Sequence, residues 1–255
     1  MKRLLIIVCL VWLVFSFTDR LYAQGKNTGN FGISLEYWMT NFEGEAKSSG
    51  GTEVKLNDDI NVNDDDNTLR WNFTMPVTDG SALDLSYYTL SYSGAQVLTK
   101  NITFNDVVFS SGELTSGKAE ADIFDIKFKL FPLMTADAQL GFILGMKWAQ
   151  AEASLSSASS GTQKASVDVP LPQVGLALST EMQYVKLSAE LSGFALSISD
   201  TSGSMLEFDV RGEYDFLPNA GVIGGYRYDR IDVEQDDDSA DFTIKGIYLG
   251  GIVRF

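Results

Sequence analysis

The segment LEFDVRGEYDF sets Glu207, Asp209, Arg211, Glu213 and Asp215 at every second position, and DIFDIKFKLF does the same with Asp125, Lys127 and Lys129. Charged groups at that spacing can do three kinds of chemistry. A carboxylate pair such as Asp209 with Glu213 can trade protons as general acid and base. Clustered oxygens can hold a hard cation. Opposite charges on facing walls can neutralise one another where water is excluded. Composition weighs against the first, because the 255 residues contain no histidine, the side chain best poised for proton transfer near neutral pH. The chain is therefore expected not to be an enzyme. Its carboxylates are read as ion-pair partners for Arg211 and its neighbours, with no cofactor and no metal site implied.

The second chemistry has a candidate in NDDINVNDDDN, residues 57–67, and a weaker one in EQDDD, residues 234–238. Asp59, Asn61, Asn63 and Asp65 have the alternate spacing of a calcium loop. The sixth position is Asp64 where glycine is needed, and the twelfth is Arg70 where glutamate is needed, so no EF-hand forms. Loose divalent binding at these acidic loops remains an expectation. A solvated, self-repelling surface loop is the simpler one.

Positioning such charges requires alternating strands. Ten segments with a period of two run through the chain: FGISLEYWMTNFEGE, TLRWNFTMPV, ALDLSYYTLSY, DIFDIKFKLF, QLGFILGMKWA, VPLPQVGLALS, YVKLSAELSGF, LEFDVRGEYDF, GVIGGYRYD and IKGIYLGGIVRF. A two-residue period with aromatic and β-branched enrichment is the strand signal. In the sixth, Pro170 and Pro172 interrupt the alternation and predict a bulge or a strand end. The connectors alternate between short turns (about 77–81, 132–137, 179–183 and 217–221) and longer polar stretches (about 47–67, 93–118, 154–165, 197–204 and 232–241). Within the second long stretch, Asn105-Asp106 between ITF and VVF predicts a protruding hairpin.

Met1-Lys2-Arg3 followed by an apolar run to Phe17 reads as a secretory signal peptide, residues 1–23, too short to span a bilayer. Cys9 lies inside it, so the mature chain, residues 24–255, has no thiol chemistry. The 19 basic and 34 acidic residues lose Lys2, Arg3, Arg20 and Asp19 with the leader, leaving 16 against 33. So acidic a chain is a poor nucleic-acid partner.

A soluble β-sandwich also alternates. Three features favour a transmembrane antiparallel up-and-down β-barrel of about ten strands, with eight or twelve as alternatives. One strand face is densely charged while the other carries aromatic and aliphatic residues, and segments of about ten residues tilted near 40° cross the apolar band of such a barrel. The third feature is the last strand. Phe255 with Val253 two before it and Gly250 five before it, preceded by Tyr248, resembles the C-terminal assembly signal of bacterial outer-membrane barrels. LSYSGAQVLTKNITFNDVVF, PLPQVGLAL, GYRYDRIDVEQDDDSADFTIKG and YLGGIVRF resemble an uncharacterised family of Gram-negative outer-membrane barrel proteins. That resemblance implies a location in the bacterial outer membrane, contact with its lipids and lipopolysaccharide, and engagement by the barrel assembly machinery; it brings no activity or functional residues.

With the apolar face outward, the inward charges are Arg70, Lys127, Lys129, Lys147, Lys186, Arg211, Arg227 and Arg254 against Glu36, Asp84, Asp125, Glu190, Glu207, Asp209, Glu213, Asp215 and Asp229. Eight cations against nine anions is almost neutral. A ten-stranded barrel lies close to the size whose interior side chains fill. The leading expectation is thus a lumen packed by paired charges, in a protein with a structural or surface-interaction role. A narrow porin-like channel is the alternative, and a membrane enzyme the distant third.

Overall fold

The computed structural model describes residues 31–47, 50–63, 65–135, 137–198, 201–235 and 238–255, so the expected signal peptide lies outside the described residues. Ten long antiparallel strands form a closed barrel: β1 (Gly32–Lys47), β3 (Asp65–Thr78), β4 (Ser81–Val97), β7 (Leu114–Met134), β8 (Ala138–Ser157), β9 (Gly161–Met182), β10 (Val185–Ile198), β11 (Thr201–Leu217), β12 (Ala220–Gln235) and β13 (Asp238–Arg254). The first and last strands zip together from Gly32↔Arg254 to Lys47↔Ser239, which removes both sheet edges. Three short strands complete the fold: β2 (Val54–Lys55), which adds to β1, and the hairpin pair β5 (Ile102–Phe104) and β6 (Val107–Phe109). A single turn of helix, Leu56–Ile60, follows β2.

The barrel strands are longer than the ten-residue segments expected, reaching 22 residues in β9. About ten residues cross the apolar band of a membrane barrel, so the excess must project into water. The three polar stretches read as loops, 154–165, 197–204 and 232–241, are largely strand in the structure. Their residues still alternate, but with the sense reversed. In the turn half, Ile33, Tyr37, Leu69, Trp71, Leu144 and Leu249 lie exposed on the outer face. In the loop half, Phe42, Leu90, Tyr92, Ile123, Leu155 and Ile244 are buried inside, while outer positions carry the ion pairs Lys245–Glu43, Arg230–Asp241, Lys164–Glu152 and Lys118–Glu120, each at 2.7 Å. An apolar-to-polar contrast that flips in mid-strand cancels in a simple alternation count.

Two further expectations need correction. β9 has neither bulge nor end at Pro170 and Pro172: its ladder with β8 passes both in unbroken register, Trp148↔Pro170 and Met146↔Pro172. The Asn105-Asp106 hairpin forms, and both residues take positive φ (50° and 62°), as a tight two-residue turn demands. It does not protrude. Ile102, Phe104 and Phe109 are buried in the apolar core that fills the loop half of the barrel, because three apolar side chains on so short a hairpin are stable only against another apolar surface.

Candidate functional site: the charged lumen

Glu36, on β1, is 0% exposed and is surrounded by three guanidinium groups from three other strands. Arg211 Nη1 donates to Oε1 at 3.1 Å, Arg227 Nη2 to Oε2 at 3.2 Å, and Arg70 Nη1 lies 3.5 Å from Oε2. The group continues through Arg227 to Asp209 at 2.6 Å, and Tyr248 Oη donates to the other oxygen of Asp209 at 2.9 Å. The Arg227 guanidinium also lies over the rings of Trp38 and Tyr248, 5.2 and 4.7 Å from their centroids, an arrangement that offsets part of its desolvation. Toward the turn end, Arg211 approaches Glu213 at 3.7 Å, Arg254 pairs with Glu213, and Arg254 reaches Asp215 at 2.7 Å.

A second cluster uses lysines. Lys147 Nζ lies 2.7 Å from Glu207 and 3.2 Å from Asp229, and Tyr88 Oη donates to Asp229 at 3.0 Å. Lys127 pairs with Glu207 and approaches Glu190 and Asp125 at 3.6 and 3.7 Å. Lys129 pairs with Glu190 and, at 2.5 Å, with Asp84. Gln173 donates to Asp125 and accepts from Ser192 at 3.0 Å. Lys127 and Glu207 stand four strands apart around the wall, as do Tyr88 and Asp229. These contacts therefore act as spokes across the lumen rather than as neighbours along a wall.

The structure brings sixteen of the seventeen expected lumen charges into these two clusters. Lys186 is the exception: it is solvent-exposed near the turn end and makes no ion pair among the described residues. Of the expected assembly-signal residues, Val253 and Phe255 are exposed on the outer face, Gly250 packs against the backbone of Leu35 and Glu36, and Tyr248 is wholly buried in the lumen. Sequence reasoning passed over Gln173, Ser86 and Ser192, polar residues with no charge to mark them. Trp38 did carry a signal, as an aromatic between Glu36 and Thr40 on the polar face of β1.

A cavity of about 50 Å³ lies among Arg70, Asn72, Asp84, Lys127, Glu190 and Arg211, room for a few waters. Above it the lumen changes character. Trp38 and Tyr88 meet edge to face, Phe42 stacks on Tyr92 at 4.3 Å, and the helix Leu56–Ile60 presents Leu56 and Ile60 to this layer. Asn57 fixes the helix: its Nδ2 donates to Phe42 O and Val62 O at 3.0 and 3.3 Å, and its Oδ1 accepts from Gly44 N at 3.1 Å. Gly94 and Gly117 form the seat. A Cβ at Gly94 would lie 1.9 Å from Asn61 O, and one at Gly117 would lie 2.5 Å from Ile60 Cγ2. The acidic run holding this plug is partly paired, Asp59 Oδ2 lying 2.8 Å from Lys100 Nζ and accepting from Lys55 N at 2.9 Å. Among the described residues no cluster of three or more metal-ligating side chains forms.

At the loop rim, Glu113 Oε1 accepts from Ser159 Oγ at 2.5 Å and from Ser159 N at 2.9 Å. These hydrogen bonds hold its carboxyl below the usual glutamate range.

No protein-family model matches the chain, and no curated protein does. Solved outer-membrane barrels do. The outer membrane protease OmpT of Escherichia coli superposes with a TM-score of 0.60 over 92% of this chain and 100% of its own, at 12% identity. The translocator domain of the autotransporter NalP from Neisseria meningitidis gives 0.51 over 100% and 97%, at 11% identity. The fold is that of a Gram-negative outer-membrane β-barrel.

Proposed function

We propose that this protein is an outer-membrane barrel whose lumen is closed and whose working surface is its loop end, a structural or surface-interaction role. The observation that carries this is the pair of seals stacked along one axis: the ionic spokes in the turn half and the aromatic and helical plug in the loop half. The exposed apolar outer face of the turn half is the surface a bilayer covers. Both termini and the short turns then face the periplasm, the plug and hairpin lie at the end toward lipopolysaccharide, and the exposed Val253 and Phe255 side chains mark the strand that the assembly machinery engages.

OmpT is a protease by name. In this chain, without histidine, lumen carboxylates such as Glu36, Glu207 and Asp229 each have a cationic partner, which favours a structural use over proton transfer. A narrow channel draws support from the cavity beside Arg70, but Arg70 and Arg227, which line it, lie against the rings of Tyr88 and Trp38. Single-channel recording of the refolded mature protein in planar bilayers tests the reading, with a heat-modifiable gel band as proof of folding. Silent bilayers are expected. Steady, reproducible openings would overturn the closed lumen in favour of the channel.

A further inference from the structure

Asn72, Ser86 and Asp125 stand directly opposite one another on three adjacent strands, β3, β4 and β7, and Thr74 and Asp84 belong to the next row toward the turns. All five side chains line the cavity of about 50 Å³ in the turn half. This patch of wall carries oxygen atoms that the ion pairs leave over. Gln173 donates to Asp125 Oδ1, but Asp125 Oδ2 accepts no hydrogen bond and lies 3.7 Å from Lys127 Nζ, although the residue is only 1% exposed. Lys129 takes Asp84 Oδ2 at 2.5 Å, while Asp84 Oδ1 is buried without a donor. Asn72 Nδ2 donates to Ser34 Oγ at 3.2 Å, which leaves its amide oxygen to accept. Ser86 Oγ accepts from Arg70 Nη2 at 2.8 Å and keeps a second lone pair.

The charges around the cavity do not balance. In the lysine cluster, Lys127, Lys129 and Lys147 face Asp84, Asp125, Glu190, Glu207 and Asp229, three ammonium groups against five carboxylates. The arginine cluster offers no relief. There Arg70, Arg211, Arg227 and Arg254 face Glu36, Asp209, Glu213 and Asp215, four against four, and Lys186 lies exposed at the turn end. An unneutralised carboxylate at this depth is costly. Water in the cavity could donate to the orphan oxygens, but it brings no charge. A small hard cation satisfies the oxygens and the charge together.

We propose that this cavity is an alkali-cation site, one Na⁺ held by Asp125 Oδ2, Asp84 Oδ1, the Asn72 amide oxygen and Ser86 Oγ. Two carboxylate oxygens with two neutral ones suit a hard ion, and Lys127 and Lys129 beside it oppose a second positive charge. The way in is from the turn end, where side-chain exposure rises from 1% at Asp125 to 13% at Lys129 and 23% at Asp84. The site stands on the lumen geometry; only its opening to the periplasm rests on the membrane reading above.

The test is sodium NMR of the refolded mature protein in detergent micelles, with choline chloride holding the ionic strength constant. Line broadening beyond that of empty micelles is expected. It should be lost in Asp125→Asn, which keeps the shape of the side chain and removes its charge. It should weaken in Asn72→Ala, which leaves every ion pair of the lumen in place and decides the matter if Asp125→Asn does not fold. A heat-modifiable gel band shows that each variant has folded. Wild-type broadening no greater than that of micelles would overturn the proposal. So would broadening that either folded variant keeps in full, the mark of diffuse attraction to acidic surface groups. A thermal midpoint that follows pH and is indifferent to exchange of Na⁺ for choline would assign the missing charge to a carboxyl proton, and would also overturn it. None of these outcomes depends on whether planar bilayers stay silent, so failure of the site and failure of the closed lumen are told apart.

Discussion

The turn half and the loop half of this barrel are built from the same strands with opposite polarity. Below, Leu249 and Trp71 face out and Glu36 and Lys147 face in; above, Glu43 and Lys245 face out and Phe42 and Ile244 face in. Apart from the β3–β4 and β9–β10 ladders, which stop partway up, the strands pair through both halves, so on the membrane reading the surroundings outside the wall decide which side chains go inward. On the membrane reading proposed above, a bilayer around the lower wall leaves no room for charge outside and favours pairing of the charges inside. Water around the upper wall permits an ordinary apolar core. The transition falls within β1 between Glu36 and Phe42, with Trp38 stacking on Arg227 and Thr40 accepting a hydrogen bond from Tyr92 at 2.7 Å as the intermediate step.

The comparison can be broken most easily at its ionic end. Glu36→Ala removes the carboxylate shared by buried Arg70 and Arg227 and half-buried Arg211, and should cost about 3–5 kcal/mol, read by urea unfolding in lipid vesicles. A cost under ~1 kcal/mol would mean that water already screens the cluster. In the upper half, Ile60→Ala removes a buried side chain over Gly117 and should cost about 2–5 kcal/mol of plug docking. The sign is faster proteolysis within 50–63 with the barrel's heat-modifiable band retained. Loss of the whole barrel would show that the plug is not a separable unit.

How much of this was legible in the sequence differs between the halves. Strand number, outward and inward faces of the lower wall and the charges that meet there follow from segments such as DIFDIKFKLF, where chemistry and period agree. The upper wall escapes because stretches such as LTSGKAEA are small and polar on one face and merely small on the other, so they resemble loops. The plug hides for another reason: in LNDDI the acidic pair masks Leu56 and Ile60, which sit four apart and so share a helix face. Pro170 and Pro172 announced a disturbance, but its direction depends on which neighbour loses the donors. That is a property of register, which no single strand contains.

Exchanging polarity on the outer wall sharpens the contrast. Leu249→Arg places a cation against the proposed bilayer and should cost about 2–4 kcal/mol if it lies near mid-depth. Glu43→Leu, outside the band, should change stability by less than ~1 kcal/mol because it breaks only an exposed pair with Lys245. Equal costs would remove the boundary between the halves. The smallest effect concerns Glu113. Its folded-state acidity is strengthened, so its contribution is present above the unfolded pKa of a glutamate and is lost as pH falls through the lower folded value. Amide exchange at Ser159 should be slower than in Glu113→Gln only above that value; pH-independent behaviour would mean that the contact does not order the rim.

The most direct test of the polarity inversion is a depth profile along one strand. Single cysteines at the outward positions Leu130, Phe128, Phe124, Asp122, Glu120 and Lys118 of β7 would carry a fluorophore, in vesicles of acyl-chain-brominated phosphatidylcholine. Strong quenching from Leu130 to Phe124 that falls away from Asp122 onward is the predicted result. Quenching that continued undiminished to Lys118, or none at any position, would contradict the account.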